Sequence, residues 1–226
     1  MIIQIYEIRS IEVAKEIAAM DIDHAGLWAT PNGKDTSLSF DQARAVFDLF
    51  PDGMRSVVLT LSQDMAEITA LIDQVNPHIL HIGSRPDHFS VDMTRQLKND
   101  HPTVALMRSI PVGDDGDIAL AGSYDGIADY LLLDTYDKKN DNFGATGETH
   151  NWDISKQIVD RVNIPVILAG GLGPDNVINA IRKVRPAGVD SKSKTDIPGT
   201  HDKDMAMLRR FVENAGMADE ANLNNS

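Results

Sequence analysis

Short apolar runs alternate with amphipathic stretches along nearly the whole chain. The first run, Ile2 to Tyr6, is followed by Ser10 to Met20, where Ile11, Val13, Ala14, Ile17 and Ala18 recur at helical spacing. The same rhythm predicts further strands over Ala25–Ala29, Ser56–Leu61, His78–Ile82, Thr103–Met107, Tyr130–Leu133, Pro165–Ala169 and Gly188–Ser191. Helices are predicted over Ser39–Phe50, Ser62–Val75, Val91–Asn99, Asp117–Tyr124, Ile154–Val162, Asn176–Val184 and Asp204–Ala215. Ser39 and Ser62 stand where an N-cap hydroxyl accepts from the first free backbone N–H groups of a helix.

Strand-then-helix units of this length imply parallel βαβ connections. Eight of them in 226 residues fit a single small (β/α)8 barrel, the TIM-barrel class, over residues 1–216. Residues 217–226 form a polar, Asn-rich tail expected to fray. An open doubly wound sheet is the alternative, and the absence of a G-x-G-x-x-G after the first strand speaks against it.

Composition narrows the chemistry. The chain has no cysteine, which excludes disulfides, thiolate nucleophiles and thiolate metal sites. Its formal net charge of -13 disfavours nucleic acid and anionic membranes. Any anionic substrate must then be held by backbone N–H groups, helix N-termini or a few local cations. The N-terminus lacks a basic segment followed by an apolar one, and no apolar run approaches the ~20 residues of a membrane span. A cytoplasmic protein, monomeric or homodimeric, is expected, with a phosphorylated small molecule as its partner. No H-x-x-x-H or H-E-x-x-H occurs among the seven His, so neither metal nor cofactor is expected.

Barrel enzymes carry their chemistry at the C-terminal ends of the strands. Three segments stand out there. In residues 131–152 an apolar strand ends in Asp134 and runs into a loop with Gly144 and Gly147. A carboxylate at a strand end can have a raised pKa and act as a general acid, or it can simply brace a loop. In residues 165–177 a strand runs into Gly170, Gly171 and Leu172, which lets backbone approach an anion or merely makes a tight turn. In residues 188–204 a strand ends in Ser191 and Ser193, interleaved with Lys192 and Lys194. This is material for the other half of a phosphate cup or for a solvated loop. Arg108 is placed at the end of strand five, able to meet a carboxylate or phosphate. Tyr6 and Glu7 end strand one, and alternation lets only one of them face the barrel interior. His78 and His81 fall on opposite faces of strand four and make no metal pair.

Taken together, LLLDT, GATG…NW, LAGGLGPDNV, GVD and PGTHD resemble phosphoribosylanthranilate isomerase, the tryptophan-pathway enzyme, in order and spacing over roughly residues 130–213. SLSFDQA and LHIG extend the resemblance into the N-terminal half. The resemblance implies an Amadori rearrangement, in which an aminoaldose phosphate becomes an aminoketose phosphate. An acid protonates the ring oxygen and a base takes the C2 proton. The family's acid carries over to Asp134. The family's basic Cys, in K-I-C-G, falls at Tyr6 of Gln4-Ile5-Tyr6-Glu7, and a phenol of pKa ~10 is a poor base near neutrality. Glu7 replaces the family's Gly and is expected to point away from the barrel. The family's S-P-R aligns with Lys34-Asp35-Thr36, its Q-L-H-G with Leu80-His81-Ile82-Gly83, and its V-S-S-G with Ser191-Lys192-Ser193-Lys194. Two alternatives stay open: other phosphosugar chemistry, such as aldol cleavage or epimerisation using Asp134 and Arg108, and a non-catalytic phosphosugar-binding protein.

Overall fold

The computed structural model of the chain describes residues 1–34, 36–137, 142–143 and 149–223. Eight parallel strands form the barrel among these residues: β1 (Ile2–Tyr6), β2 (His24–Thr30), β3 (Arg55–Thr60), β4 (Ile79–Ile82), β5 (Ala105–Val112), β6 (Tyr130–Asp137), β7 (Val166–Leu168) and β8 (Gly188–Ser191). Each pairs with the next, and β1 pairs with both β2 and β8, closing the sheet. The outer ring is α1 (Ile11–Ile17), α2 (Phe40–Phe47), α3 (Met65–Val75), α4 (Val91–Asp100), α5 (Gly116–Gly122), α6 (Trp152–Arg161), α7 (Val177–Val184) and α8 (Met205–Leu223). The sequence rhythm is thus realised as the expected closed barrel. Among the described residues no helix is long and apolar enough to cross a membrane.

Alternation along each strand divides the core in two. Outward residues such as Ile3, Ile5, Leu80 and Leu131 pack under the helices. Inward residues Tyr6, Val57, Ile79, Met107, Leu132, Ile167 and Ala169 fill the barrel. Tyr6 is level with Gly26 on the neighbouring strand. A Cβ on Gly26 would lie 2.5 Å from the Tyr6 ring, so the missing side chain on β2 makes room for the large one on β1. Ser10, Ser39, Asp64, Ser90 and Asn151 cap α1, α2, α3, α4 and α6 with side-chain acceptors, and at Ser39 the Gln42 side chain completes a capping box.

Two expectations are corrected. The fifth strand continues through Arg108 to Val112. Met107 and Ser109 therefore face inward, while Arg108 points outward into the layer between sheet and helices and is fully buried. Its guanidinium donates to the Ile82 carbonyl (2.7 Å), the Phe89 carbonyl (3.4 Å) and the Tyr124 hydroxyl (3.2 Å), far from any mouth role. The last helix does not end at Ala215 as expected: α8 runs on to Leu223. Ala215 and Ala218 stay buried one turn further along the same face, and the N-terminal ammonium pairs with Asp219.

Candidate active site

A cavity of about 250 Å³ opens at the C-terminal mouth of the barrel. Among the described residues three carboxylates face it. Asp134 comes from β6, in register with the inward side chain of Leu132, and its Oδ1 accepts from the Thr135 N–H at 2.7 Å. Asp190 comes from β8, where it alternates inward between Val189 and Ser191. Glu7 follows the last residue of β1. Strand alternation no longer governs it there, and contrary to expectation it turns into the cavity together with Tyr6. Glu7 is only 7% exposed, with its Oε2 3.1 Å from Lys192 Nζ and 3.6 Å from His201 Nδ1.

Asp190 belongs to a polar layer at the cavity floor. Gln4 Nε2 donates to its Oδ1 (3.1 Å), and Gln4 Oε1 lies 3.1 Å from His24 Nδ1. Burial pushes the Asp190 carboxyl up to about 7, and the nearby Asp134 charge adds to it, against the Gln4 hydrogen bond and the charges of Lys203 and Lys192. It can therefore exchange a proton near neutrality. Sequence reasoning missed Asp190 by weighing the Ser and Lys residues of GVDSKSK. The signal was available, because alternation in a barrel strand sets residue 190 on the opposite face from 189 and 191.

Tyr6 is tied up. Its hydroxyl is 2.8 Å from His81 Nδ1, and His81 Nε2 is 2.6 Å from Ser109 Oγ. Burial, helped by the Asp190 charge, raises the phenol well above its ordinary value. Burial, helped by the Arg108 charge behind the strand, lowers His81 to about 3. A neutral imidazole donates through one ring nitrogen and accepts at the other, so both ends of this chain are satisfied. The phenol is therefore held by its neighbours and hard to ionise.

The opposite edge of the cavity is built for an anion. Gly170 (φ 77°) and Gly171 (φ 61°) turn the chain through left-handed conformations after β7. A Cβ on Gly170 would also strike Thr135 Oγ1 at 2.5 Å and His150 Nδ1 at 2.7 Å. Asn176 clamps the turn, donating to the Gly171 carbonyl and accepting from the Gly173 N–H. Among the described residues no acceptor takes the backbone N–H of Gly171 or Leu172, although Leu172 is 1% exposed. Backbone N–H groups left free at a glycine turn are donors for an anion or for water. Ser193, which opens a short 3-10 turn after β8, lines the same edge.

Other residues singled out from the sequence lie elsewhere. Ser191 Oγ donates to the Leu172 carbonyl at 2.7 Å, tying the two loops together rather than facing the cavity. Lys194 is exposed and packs its stem over Gly173, outside the lining. Its neighbour Lys192 lines the mouth instead. Gly144 and Gly147 lie outside the described residues. The loop after β8 is anchored from below by the buried pair of Lys203 and Asp196. Among the described residues no group of three His, Asp or Glu side chains is disposed to hold a metal ion.

Strand ends that gather carboxylates over one pocket, beside the glycine turn after β7 and the short 3-10 turn after β8, place the molecule in the class of (β/α)8-barrel enzymes. Residues 7–214 match the family model of N-(5'phosphoribosyl)anthranilate (PRA) isomerase, and the chain belongs to that family. The N-(5'-phosphoribosyl)anthranilate isomerase of Methanocella arvoryzae is 33% identical over 203 residues, covering 89% of this chain and 92% of that one. The crystal structure of phosphoribosyl anthranilate isomerase from Thermotoga maritima shares the fold with a TM-score of 0.79 at 22% identity, covering 96% of this chain and 100% of that one. Another phosphoribosyl anthranilate isomerase structure, solved in complex with reduced 1-(o-carboxyphenylamino)-1-deoxyribulose 5-phosphate, gives a TM-score of 0.75 at 22% identity over 96% of this chain and 100% of that one.

Proposed function

We propose that the chain catalyses the Amadori isomerisation of an N-(5'-phosphoribosyl) amine to the corresponding 1-amino-1-deoxyribulose 5-phosphate. The observation that carries this reading is the pairing of Asp134 and Glu7. They face one cavity from strands on either side of the β7–β8 edge, where the backbone N–H groups of Gly171 and Leu172 await an anion. With phosphate at that edge, the ribose lies between the two carboxyl groups.

Asp134, in protonated form, gives its proton to the ring oxygen, which opens the furanose to an iminium ion. Glu7 takes the C2 proton, producing an enolamine. Protonation at C1 and loss of the proton from O2 then give the aminoketone. The Lys192 ammonium holds the Glu7 carboxylate in place. Asp190, able to carry a proton near neutrality, serves as a proton store on the cavity floor. Arg108 is turned away from the cavity, so aldol or epimerase chemistry that needs it loses its cation.

Adducts of ribose 5-phosphate with aromatic amines form spontaneously in solution and supply the test. Mass-preserving conversion to a ketose, followed by NMR at C1 and C2, is expected to accelerate with the protein. No acceleration over the uncatalysed rate for any arylamine adduct overturns the reading.

A further inference from the structure

Gln4 stands in the middle of a row that crosses three strands. On β1 it is the register partner of Asp190 on β8 and of His24 on β2. All three side chains are buried. The Gln4 amide joins them. Its Oε1 accepts from His24 Nδ1 (3.1 Å), while its Nε2 donates to Asp190 Oδ1 (3.1 Å) and toward Met107 Sδ (3.8 Å). An amide oxygen turned to the Asp190 carboxylate would meet another acceptor, so the orientation is set and His24 carries its proton on Nδ1. The His24 ring is fixed in turn by its edge-to-face contact with Tyr130, 5.4 Å between centroids. Asp190 Oδ1 is thereby occupied, and Oδ2 is the oxygen left to serve the cavity that Asp190 lines.

The K-I-C-G motif aligned with this stretch has a lysine at the position of Gln4. An ammonium in this row would favour a charged Asp190 through the neutral range. A neutral amide supports the charged form by one hydrogen bond, and burial works against it, so the carboxyl stands at about 7. Among the described residues the titratable groups around it are Tyr6 from β1, His24 from β2, Asp134 from β6, and Lys192 and Lys203 from the segment after β8, with Glu7 and His201 beyond Lys192. β7 contributes only apolar side chains. Burial raises Tyr6 and lowers His24 to about 4, so neither changes charge near neutrality. Lys192 is paired with Glu7 and Lys203 with Asp196.

We infer that Gln4 is a positioning residue of the active site: anchored by His24, its amide aims the Asp190 carboxyl into the cavity and leaves that carboxyl free to hold or release a proton. This rests on the isomerase reading for the use made of the proton.

The test follows the Asp190 carboxyl directly, by carboxyl-carbon NMR titration of the full chain labelled at aspartate, with Asp190→Asn identifying the signal. In Gln4→Lys the midpoint is expected to fall by at least ~1 pH unit, as a carboxyl does beside an opposite charge. In Gln4→Met, which removes the donor and nearly keeps the volume, it is expected to rise. A merely structural role would not move it in opposite directions. The pH dependence of kcat for a phosphoribosyl arylamine is expected to move with the midpoint in each variant, with KM little changed. An unmoved midpoint, or movement in the same direction in both variants, overturns the inference. So does a kcat profile that stays in place while the midpoint moves. Q4M alone decides if the buried ammonium of Q4K prevents folding. The expected NMR shifts without turnover by the wild-type protein remove the isomerase reading and leave the hold of Gln4 on Asp190 standing.

Discussion

The Tyr6 hydroxyl lies 2.8 Å from His81 Nδ1, joining β1 to β4 through the barrel interior. The phenol at the position where the family resemblance sets a base is thus a structural hydrogen-bonding group, and the imidazole it meets is neutral. Tyr6→Phe removes this bond and leaves a buried ring nitrogen short of a partner. The expected cost is ~1–3 kcal/mol, with kcat within a few-fold of wild type. Urea denaturation and steady-state kinetics check the two halves. A hundredfold fall in kcat with normal stability would show that the phenol itself does the chemistry.

Gly26 and Tyr6 share one space inside the barrel. Gly26→Ala drives a methyl into the ring, and overpacking of this kind costs ~1–3 kcal/mol, or ~2–4 °C of Tm per kcal/mol in a chain of this size. In the double variant with Tyr6→Ala the ring is gone, so the combined loss of stability is expected to fall short of the sum of the two single losses. Strict additivity in thermal melts contradicts the packing relationship.

Stability should depend on pH with two opposing signs. Asp190, at about 7, keeps its proton in the fold, while an unfolded Asp loses it near ~3.9. Its contribution therefore falls as pH rises from about 4 to 7. His24 and His150, lowered to about 4 by burial, and His81, lowered to about 3, behave oppositely. Below ~6.5 the unfolded chain takes up protons that the fold refuses, so their contribution is lost on acidification. Asp190→Asn removes the opposing proton. Its stability relative to wild type is expected to be less favourable at pH 5 than at pH 7, by up to ~1.4 kcal/mol per pH unit. A difference independent of pH would show that Asp190 titrates normally.

Arg108→Met tests the outward placement of that side chain. The Ile82 and Phe89 carbonyls and the Tyr124 hydroxyl lose their donor, at ~1–3 kcal/mol for each buried group left unpaired. A Tm several degrees lower is expected, with kcat/KM unchanged below the transition. A fall in kcat/KM at unaltered Tm would return Arg108 to the site.

The barrel was legible because short apolar runs and helical faces alternate eight times, and local pattern suffices for that. So was the glycine turn after β7, where Gly170 and Gly171 adopt the left-handed backbone that two adjacent glycines permit. What escaped was set by strand ends and by packing. Arg108 looked terminal because the apolar run thins out after Met107, yet pairing with β6 carries the strand to Val112. Glu7 was assigned outward by alternation, which ceases one residue earlier. The α8 extension depends on Ala218 finding a buried place and Asp219 finding the N-terminal ammonium, contacts that a polar composition does not reveal.

Asp134 and Glu7 carry the functional assignment. Removing a general acid or base typically costs 10²–10⁴ in rate. The most direct measurement is kcat for conversion of a phosphoribosyl arylamine to its ketose by the wild-type protein, Asp134→Asn and Glu7→Gln, each checked for a native melt. A wild-type rate well above background, with each variant at least ~100-fold slower, is the expected result. Variants as active as wild type, or a wild-type protein no faster than solution, would contradict it.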